Sequence, residues 1–159
     1  MTVAALAGGL PRALRGSGAW MVALAAAGLA VALYLSWVKL AGEQPSCAIL
    51  GGCDRVNTSV YSEAFGVPVA FFGVAGSTLL LLAAGGWWLR GSRRSLLAAY
   101  LLGLASLPVI AYLTYLELFV IHAVCIWCVA YAVTLIAGWL VASLALSRSR
   151  RDPPAAAAR

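Results

Sequence analysis

The chain has four cysteines in two pairs, and these are the side chains whose type and spacing carry chemistry. Cys125 and Cys128 form a C-x-x-C, Val124-Cys125-Ile126-Trp127-Cys128, at the head of a long apolar run. Residues three apart on a helix share a face, so the two sulfurs can close to a disulfide or open to a dithiol with little backbone movement. Near a helix N-terminus the macrodipole favours the thiolate, the species that attacks disulfides and electrophiles. The other pair, Cys47 and Cys53, flanks Gly51-Gly52, whose permissive backbone suits a loop disulfide that closes and opens.

Three uses of such pairs stand side by side. A structural staple contributes typically about 2–4 kcal/mol, which suits Cys47 and Cys53; bridging two neighbours on one helix constrains little, so it suits Cys125 and Cys128 poorly. A four-cysteine zinc site is the second, although the spacer between Cys47 and Cys53 is longer than the usual half-site and no other ligand cluster is near. The third is thiol–disulfide exchange between the pairs through a mixed disulfide, and it uses both spacings. No Gly-rich dinucleotide fingerprint, haem motif or phosphate loop accompanies them.

The elements that must position these sulfurs lie in a bilayer. Of 159 residues 64% are hydrophobic and only 10% charged, which excludes an ordinary soluble domain. Mean hydropathy is +0.95. Crossing a hydrocarbon core of about 30 Å takes about 20 helical residues. Four uncharged windows are long enough: Ala19 to Val38, Ala64 to Leu89, Ser95 to Leu116 and Leu118 to Ser147. Only Glu117 separates the last two, and a single helix over both would run about 80 Å, so a hairpin is expected near Glu117 to His122.

The expected fold is all-α: an integral membrane four-helix bundle, residues 19–147, with an extracytoplasmic loop between helices 1 and 2. Its spans are placed at about 19–40, 65–89, 95–116 and 123–146, and the loop at 41–64. Residues 1–18 form a cytoplasmic lead-in, and 148–159 a cytoplasmic tail without a core-facing pattern, expected to be disordered. Arg12 and Arg15 resemble a signal-peptide n-region, but the apolar run after them is too long for an h-region and is expected to be retained. Within span 1, Ala25, Gly28 and Ala32 share a face on which another helix can approach closely.

Charge gives the orientation. Arg12, Arg15, Arg90, Arg93, Arg94, Arg148, Arg150, Arg151 and Arg159 belong to one side; Lys39 and Arg55 alone fall on the other. The positive-inside rule makes the arginine-rich side cytoplasmic, with both termini there and all four cysteines opposite, where disulfides persist. The net charge of +6 is accounted for by this asymmetry and by contact with anionic lipid, so no nucleic-acid partner is implied. In the loop, Asp54 is expected to N-cap a short surface helix through Asn57 and Thr58, and Gly66 and Pro68 to mark the turn into span 2. Pro108 is expected to kink span 3.

A span, a loop with Cys47 and Cys53, Ser59 six residues on, Gly66-Val-Pro-Val-Ala-Phe-Phe-Gly73, and then Leu118-Phe-Val-Ile-His-Ala-Val-Cys125-Ile-Trp-Cys128 follow in order. Over about residues 19–147 this pattern resembles the vitamin K epoxide reductase (VKOR) family, in the form of a bacterial homologue without a fused thioredoxin-like domain. The resemblance implies a bacterial inner-membrane thiol oxidoreductase supporting disulfide bond formation. Cys47 would exchange with a DsbA-like or thioredoxin-like soluble protein supplied in trans. Cys53 would pass electrons on through a transient disulfide with Cys125, and Cys128 would face a quinone, ubiquinone or menaquinone, held in the bundle without a metal. Ser59 would lie near the quinone head.

Phe71, Phe72, Tyr112, Tyr115 and Trp127 are candidates for the apolar wall of that quinone site, and each is also a common lipid-facing or interfacial residue. His122, three residues before Cys125, is a candidate for proton transfer, although such a residue is more often interfacial and polar; Glu117 and Asp54 could affect local proton supply, although exposed loop charges usually have no such role. Animal members carry an asparagine on the segment matching Val67 to Gly73, where this chain has no amide. They also carry a tyrosine four residues after the second motif cysteine, where Tyr131 stands at three. An ordinary respiratory quinone is therefore expected over vitamin K epoxide. A DsbA-type oxidant, with a potential near about −120 mV, needs an acceptor more oxidising still, and a lipid-soluble quinone meets that need. The alternatives are a quinone or quinone-epoxide reductase in its own right, or a non-catalytic scaffold whose cysteines are staples or zinc ligands.

Overall fold

The computed structural model describes residues 12–47 and 52–151. Along the chain come α1 (Arg12–Ala41), α2 (Cys53–Thr58), a 3-10 turn (Val60–Ser62), strands β1 (Glu63–Ala64) and β2 (Val67–Pro68), α3 (Val69–Arg90), α4 (Arg93–Tyr115), a π-helical turn (Leu116–Ile121) and α5 (Ile126–Arg151). Four segments are long and apolar enough to cross a membrane: Gly16–Ala41, Val69–Arg90, Arg93–Ile121 and Ile126–Arg150. The protein is thus a multi-pass membrane protein, all-α apart from one two-residue-per-strand hairpin.

The four long helices close a ring: α1 packs on α3 and α5, and α4 packs on the same two from the other side. Lipid tails are as apolar as leucine, so this packing rests on close van der Waals fit. The Ala25–Gly28–Ala32 face of α1 supplies that fit. Ala25 and Ala32 are buried, and a Cβ on Gly28 would lie 3.0 Å from Thr134 Oγ1 of α5 and 3.5 Å from Ser77 Oγ of α3. A second cluster, Met21, Ala84, Trp87, Leu96, Ala99, Ala142, Ala145 and Leu146, fills the arginine-bearing end of the bundle. There α3 ends on Gly91 in the left-handed conformation, and Ser92 Oγ accepts the Ser95 N–H to open α4.

Several boundaries differ from the sequence expectation, each for a local reason. Span 2 begins at Val69, not 65, because Glu63–Pro68 pairs antiparallel (Ala64 opposite Val67) around Phe65 and Gly66, both at positive φ. Two left-handed residues make the turn that matches strand twist, and Pro68 then presets the helix start. Span 3 does not stop at Leu116; it continues through the π-turn to Ile121 and ends where His122 adopts φ 52°, with the Ala123 N–H returning to the Glu117 carbonyl. The hairpin is therefore residues 122–125, and α5 starts at Ile126 instead of 123. At its far end α5 runs through Arg148 to Arg151, into the segment expected to lack structure. α4 passes through Pro108 as one helix.

Asp54 does not cap α2. Helix α2 begins one residue earlier, at Cys53, with Gly52 at its cap position and no side-chain cap bond, so Asp54 stands in the first turn and its charge faces the helix N-terminus. Residues 1–11 of the lead-in, Gly51 of the expected loop hinge and 152–159 of the tail lie outside the described residues.

Candidate active site

Because α5 begins at Ile126, Cys125 stands immediately before the helix and Cys128 in its first turn. The Cys128 N–H points at Cys125 Sγ (3.4 Å), and the Val129 N–H bonds the Cys125 carbonyl (3.0 Å). The sulfur thus occupies the place of an N-cap oxygen, where first-turn N–H groups stabilise negative charge. Both thiols are free, Cys125 buried and Cys128 half-buried. The Cys125 thiol lies below the ordinary cysteine range. The main cause is its hydrogen bond with the Cys128 side chain, with the Cys128 and Trp127 N–H groups adding to it against burial and the nearby Glu117 charge.

Cys47 and Cys53 are joined by a disulfide, their Cα atoms 6.0 Å apart. Both ends of this small loop are fastened to the bundle. On the Cys47 side, the Ser46 N–H donates to Tyr34 Oη (3.2 Å) and the Ser46 carbonyl accepts Trp127 Nε1–H (3.0 Å). The Tyr34 and Trp127 rings meet with centroids 4.6 Å apart, so the second variable residue of the C-x-x-C grips the loop directly. On the Cys53 side, Gly52 lies against the turn before α5: a Cβ there would be 2.6 Å from Val124 O and 2.8 Å from Val124 N. Only a residue without a side chain lets the backbone before Cys53 approach the backbone before Cys125 so closely. Cys53 is fully buried, whereas Cys47 is half-buried and is the more accessible end of the disulfide.

Glu117 completes the cluster. It is buried in the π-turn, its Oε2 accepts the Cys125 N–H (3.2 Å), and it lines the same cavity as Cys128. No cation bridges it among the described residues. Lys39, which lines the same cavity, spends its ammonium on Asn57 O (2.9 Å), Ser62 Oγ (2.9 Å) and Glu63 Oε1 (3.4 Å), tying the end of α1 to the loop.

Cys125, Cys128 and Glu117 open on a cavity of about 330 Å³ between the four long helices and α2. Its walls are mostly apolar, with Leu35, Phe72, Val109, Ile110, Leu113, Val129 and Leu135, and its polar points include Lys39, Ser59, Ser106 and Tyr131. That is the make-up of a pocket for an apolar ring with a few polar handles. Tyr131 is held in place: its hydroxyl donates to the Gly73 carbonyl (3.1 Å) and lies 3.1 Å from Ser77 Oγ, which is fully buried.

Of the residues expected around a quinone, Ser59, Cys128 and Phe72 line this cavity, with Ser59 Oγ also bonded to the Val56 carbonyl (2.8 Å). Phe71, Tyr112, Tyr115 and Trp127 do not line it. Tyr112 and Tyr115 project from the outer face of α4, 58% and 55% exposed, while Leu113 and Thr114 turn inward. Phe71 gives way to its neighbour Phe72 because successive residues on a helix point about 100° apart. His122 is exposed at the turn, Nδ1 within 3.2 Å of the Leu118 carbonyl, with no contact to the sulfurs.

Residues 19–143 match the Vitamin K epoxide reductase family. The chain belongs to that family. No curated protein matches it. As a VKOR member it is a membrane thiol oxidoreductase of a quinone-linked family, and among its described residues no group of three or more His, Cys, Asp or Glu is arranged to hold a metal. Three features of this VKOR site were not picked out from sequence: the Gly52 contact, the Tyr34–Trp127 grip and the Tyr131–Ser77 pair. Glu117 was expected as an exposed loop charge and is instead buried, and a lone acid between two apolar windows is a signal for function inside a membrane.

Proposed function

We propose that this protein re-oxidises a DsbA-like, thioredoxin-fold protein and delivers the electrons to a quinone, so that its net product is disulfide bonds in client proteins. In this reading it resides in a bacterial inner membrane with both termini cytoplasmic and the cysteine pairs on the extracytoplasmic face, as the arginine distribution indicates. One observation carries the proposal. A closed disulfide, Cys47–Cys53, is packed through Gly52 against the turn bearing an open dithiol, Cys125 and Cys128, and that dithiol faces an apolar cavity.

The relay follows from accessibility. A partner thiolate attacks Cys47, the accessible end of the loop disulfide, and Cys53 leaves as a thiol; the partner's second thiol then displaces Cys47, leaving the partner oxidised and the loop pair reduced. With the C-x-x-C oxidised, Cys53 attacks Cys125 and releases Cys128. Cys47 then attacks Cys53, which restores the loop disulfide and leaves Cys125 and Cys128 reduced. A quinone supplies a lipid-soluble two-electron acceptor. The apolar walls fit its ring, and Ser59 and Cys128 line the cavity where its polar end would lie. Closing the Cys125–Cys128 bond returns the pair to its oxidised form.

The test is made on Cys125→Ala and Cys128→Ala variants of the membrane-embedded chain, measuring quinone reduction driven by a reduced DsbA-like protein. Both variants lose turnover, and Cys128→Ala accumulates a Cys53–Cys125 disulfide. Full turnover in both variants overturns the relay and returns the cysteines to a structural role.

A further inference from the structure

Two protons must reach the acceptor for every disulfide closed at Cys125 and Cys128, and neither sulfur keeps one. We infer that Glu117 is a catalytic residue of this site, the proton carrier between the Cys128 thiol and the acceptor oxygen in the cavity. The inference rests on the quinone-linked relay proposed above.

Glu117 is 6% exposed, yet it is a carboxylate without a bridging cation among the described residues. A carboxyl group inside a bilayer is costly and persists where it has work to do. Its contacts are those of a proton carrier. One oxygen is fixed by the Cys125 N–H at 3.2 Å, and the residue lines the cavity that Cys125 and Cys128 also line. The backbone is shaped for this placement. The π-turn Leu116–Ile121 and the left-handed His122 fold the end of α4 under the head of α5, and the Ala123 N–H bonds the Glu117 carbonyl at 3.0 Å. Single π-turns recur where a helix delivers a functional side chain.

The other ionisable groups nearby are committed or turned away. Lys39 from α1 is tied to Asn57, Ser62 and Glu63; Tyr131 from α5 is tied to Gly73 and Ser77; His122 is exposed beyond the turn; Asp54 and Arg55 of α2 are exposed. Cys125 carries its own sulfur as a capped, readily formed thiolate.

The step balances as follows. Glu117 takes the proton of Cys128 as that S–H bond breaks, the Cys125–Cys128 S–S bond forms, and two electrons pass to the quinone. Glu117 then gives the proton to the acceptor oxygen and returns to its starting state. The second quinol proton comes from the aqueous phase into which Cys125 released its own.

Glu117→Gln keeps an oxygen to accept the Cys125 N–H but cannot carry the proton, and Glu117→Asp keeps the chemistry on a shorter arm. The full chain in detergent is reduced with dithiothreitol and mixed with decylubiquinone in a stopped-flow single turnover. Loss of a positioned acid–base group costs about 10²–10⁴-fold, so Glu117→Gln slows the reaction at least about 100-fold and Glu117→Asp recovers part of it. Without quinone, the Cys128 alkylation rate with N-ethylmaleimide, mapped by mass spectrometry against pH, instead rises about tenfold in Glu117→Gln, because the carboxylate charge that opposes the thiolate is gone, and stays near wild type in Glu117→Asp. Retention of the Cys47–Cys53 disulfide in both variants shows that they fold. Rates within twofold of the wild type in both assays overturn the role of Glu117. A wild-type chain that reduces no quinone under these conditions overturns the quinone reading instead, and the alkylation result then decides Glu117 alone.

Discussion

Gly52→Ala tests whether the loop disulfide works on the C-x-x-C by contact. Gly52 has φ −95° and ψ −8°, a conformation open to any residue. By backbone entropy alone the substitution stabilises by about 0.4–1 kcal/mol. The steric environment reverses that sign. The added Cβ would stand 2.6 Å from Val124 O, 2.8 Å from Val124 N and 3.2 Å from the Ala123 Cβ. The first two are backbone atoms that no rotamer change can move. Opening the closest contact from 2.6 Å to the 3.4 Å of an ordinary one shifts the loop from the turn by about 0.8 Å. Cys53 and Cys125 each follow directly on a residue of that contact, so the gap opens between the two exchanging sulfurs. A misplacement near 1 Å costs an oriented reaction up to about 10²-fold, so a 10- to 100-fold loss is expected at this step. The assay uses Cys47→Ala with Cys128→Ala, which leaves Cys53 and Cys125 to join on treatment with diamide, followed on non-reducing gels with and without Gly52→Ala. Partner-driven turnover of the four-cysteine Gly52→Ala chain falls in parallel. Quinone reduction by a dithiothreitol-reduced C-x-x-C does not fall, because Gly52 does not line the cavity. Joining of Cys53 and Cys125 at the wild-type rate refutes contact exchange through this face.

Two further outcomes follow from the same geometry. Cys125 has its thiol held low chiefly by the Cys128 side chain, so its alkylation in a Cys47→Ala, Cys53→Ala background rises with pH to a midpoint below that of an ordinary cysteine. Replacing Cys128 by Ala removes that donor and moves the midpoint up; an unmoved midpoint contradicts the assignment. Tyr131→Phe deletes the hydroxyl bonded to Gly73 and paired with buried Ser77. Losing one such internal hydrogen bond costs about 1 kcal/mol of stability, read as a lowered thermal-unfolding midpoint of the full chain in detergent; an unchanged midpoint contradicts it.

Much of this architecture is legible in the chain because a bilayer simplifies the code. Uncharged windows must be helices, and arginines sort the ends. The paired cysteines stand out for the same reason, as reactive side chains at the end where Arg55 is the one arginine. What stays hidden is rotational. A soluble helix advertises its buried face by polarity, but a membrane helix is apolar all round, so nothing in the sequence tells that Phe72 faces the cavity and Phe71 does not, or that Tyr112 and Tyr115 face outward. Close approach is hidden too. Gly52 reads as a flexible residue in a Gly-Gly pair, whereas its φ is ordinary and its value lies in the missing Cβ. The end of α4 is hidden because a π-turn has no sequence signature, and without it Glu117 reads as the tip of a hairpin instead of a buried partner of Cys125.

The direction of electron flow in the proposed relay can be argued from what each pair gains when reduced. A dithiol whose attacking sulfur is stabilised as a thiolate is favoured in the reduced state, and its disulfide is the stronger oxidant; that is the logic of DsbA itself. Cys125 has such stabilisation from the first-turn N–H groups of α5 and from Cys128. For the loop pair the balance runs the other way. Cys53 is fully buried at the start of a helix too short to offer much dipole, and Tyr34, Trp127 and Val124 hold the loop in the folded-back shape that the closed disulfide requires. Electrons entering at Cys47 therefore run downhill to Cys125 and Cys128. Glu117 sits where the descent would otherwise stop, because a thiolate beside a cavity of low polarity can give up its electrons only as fast as protons follow them.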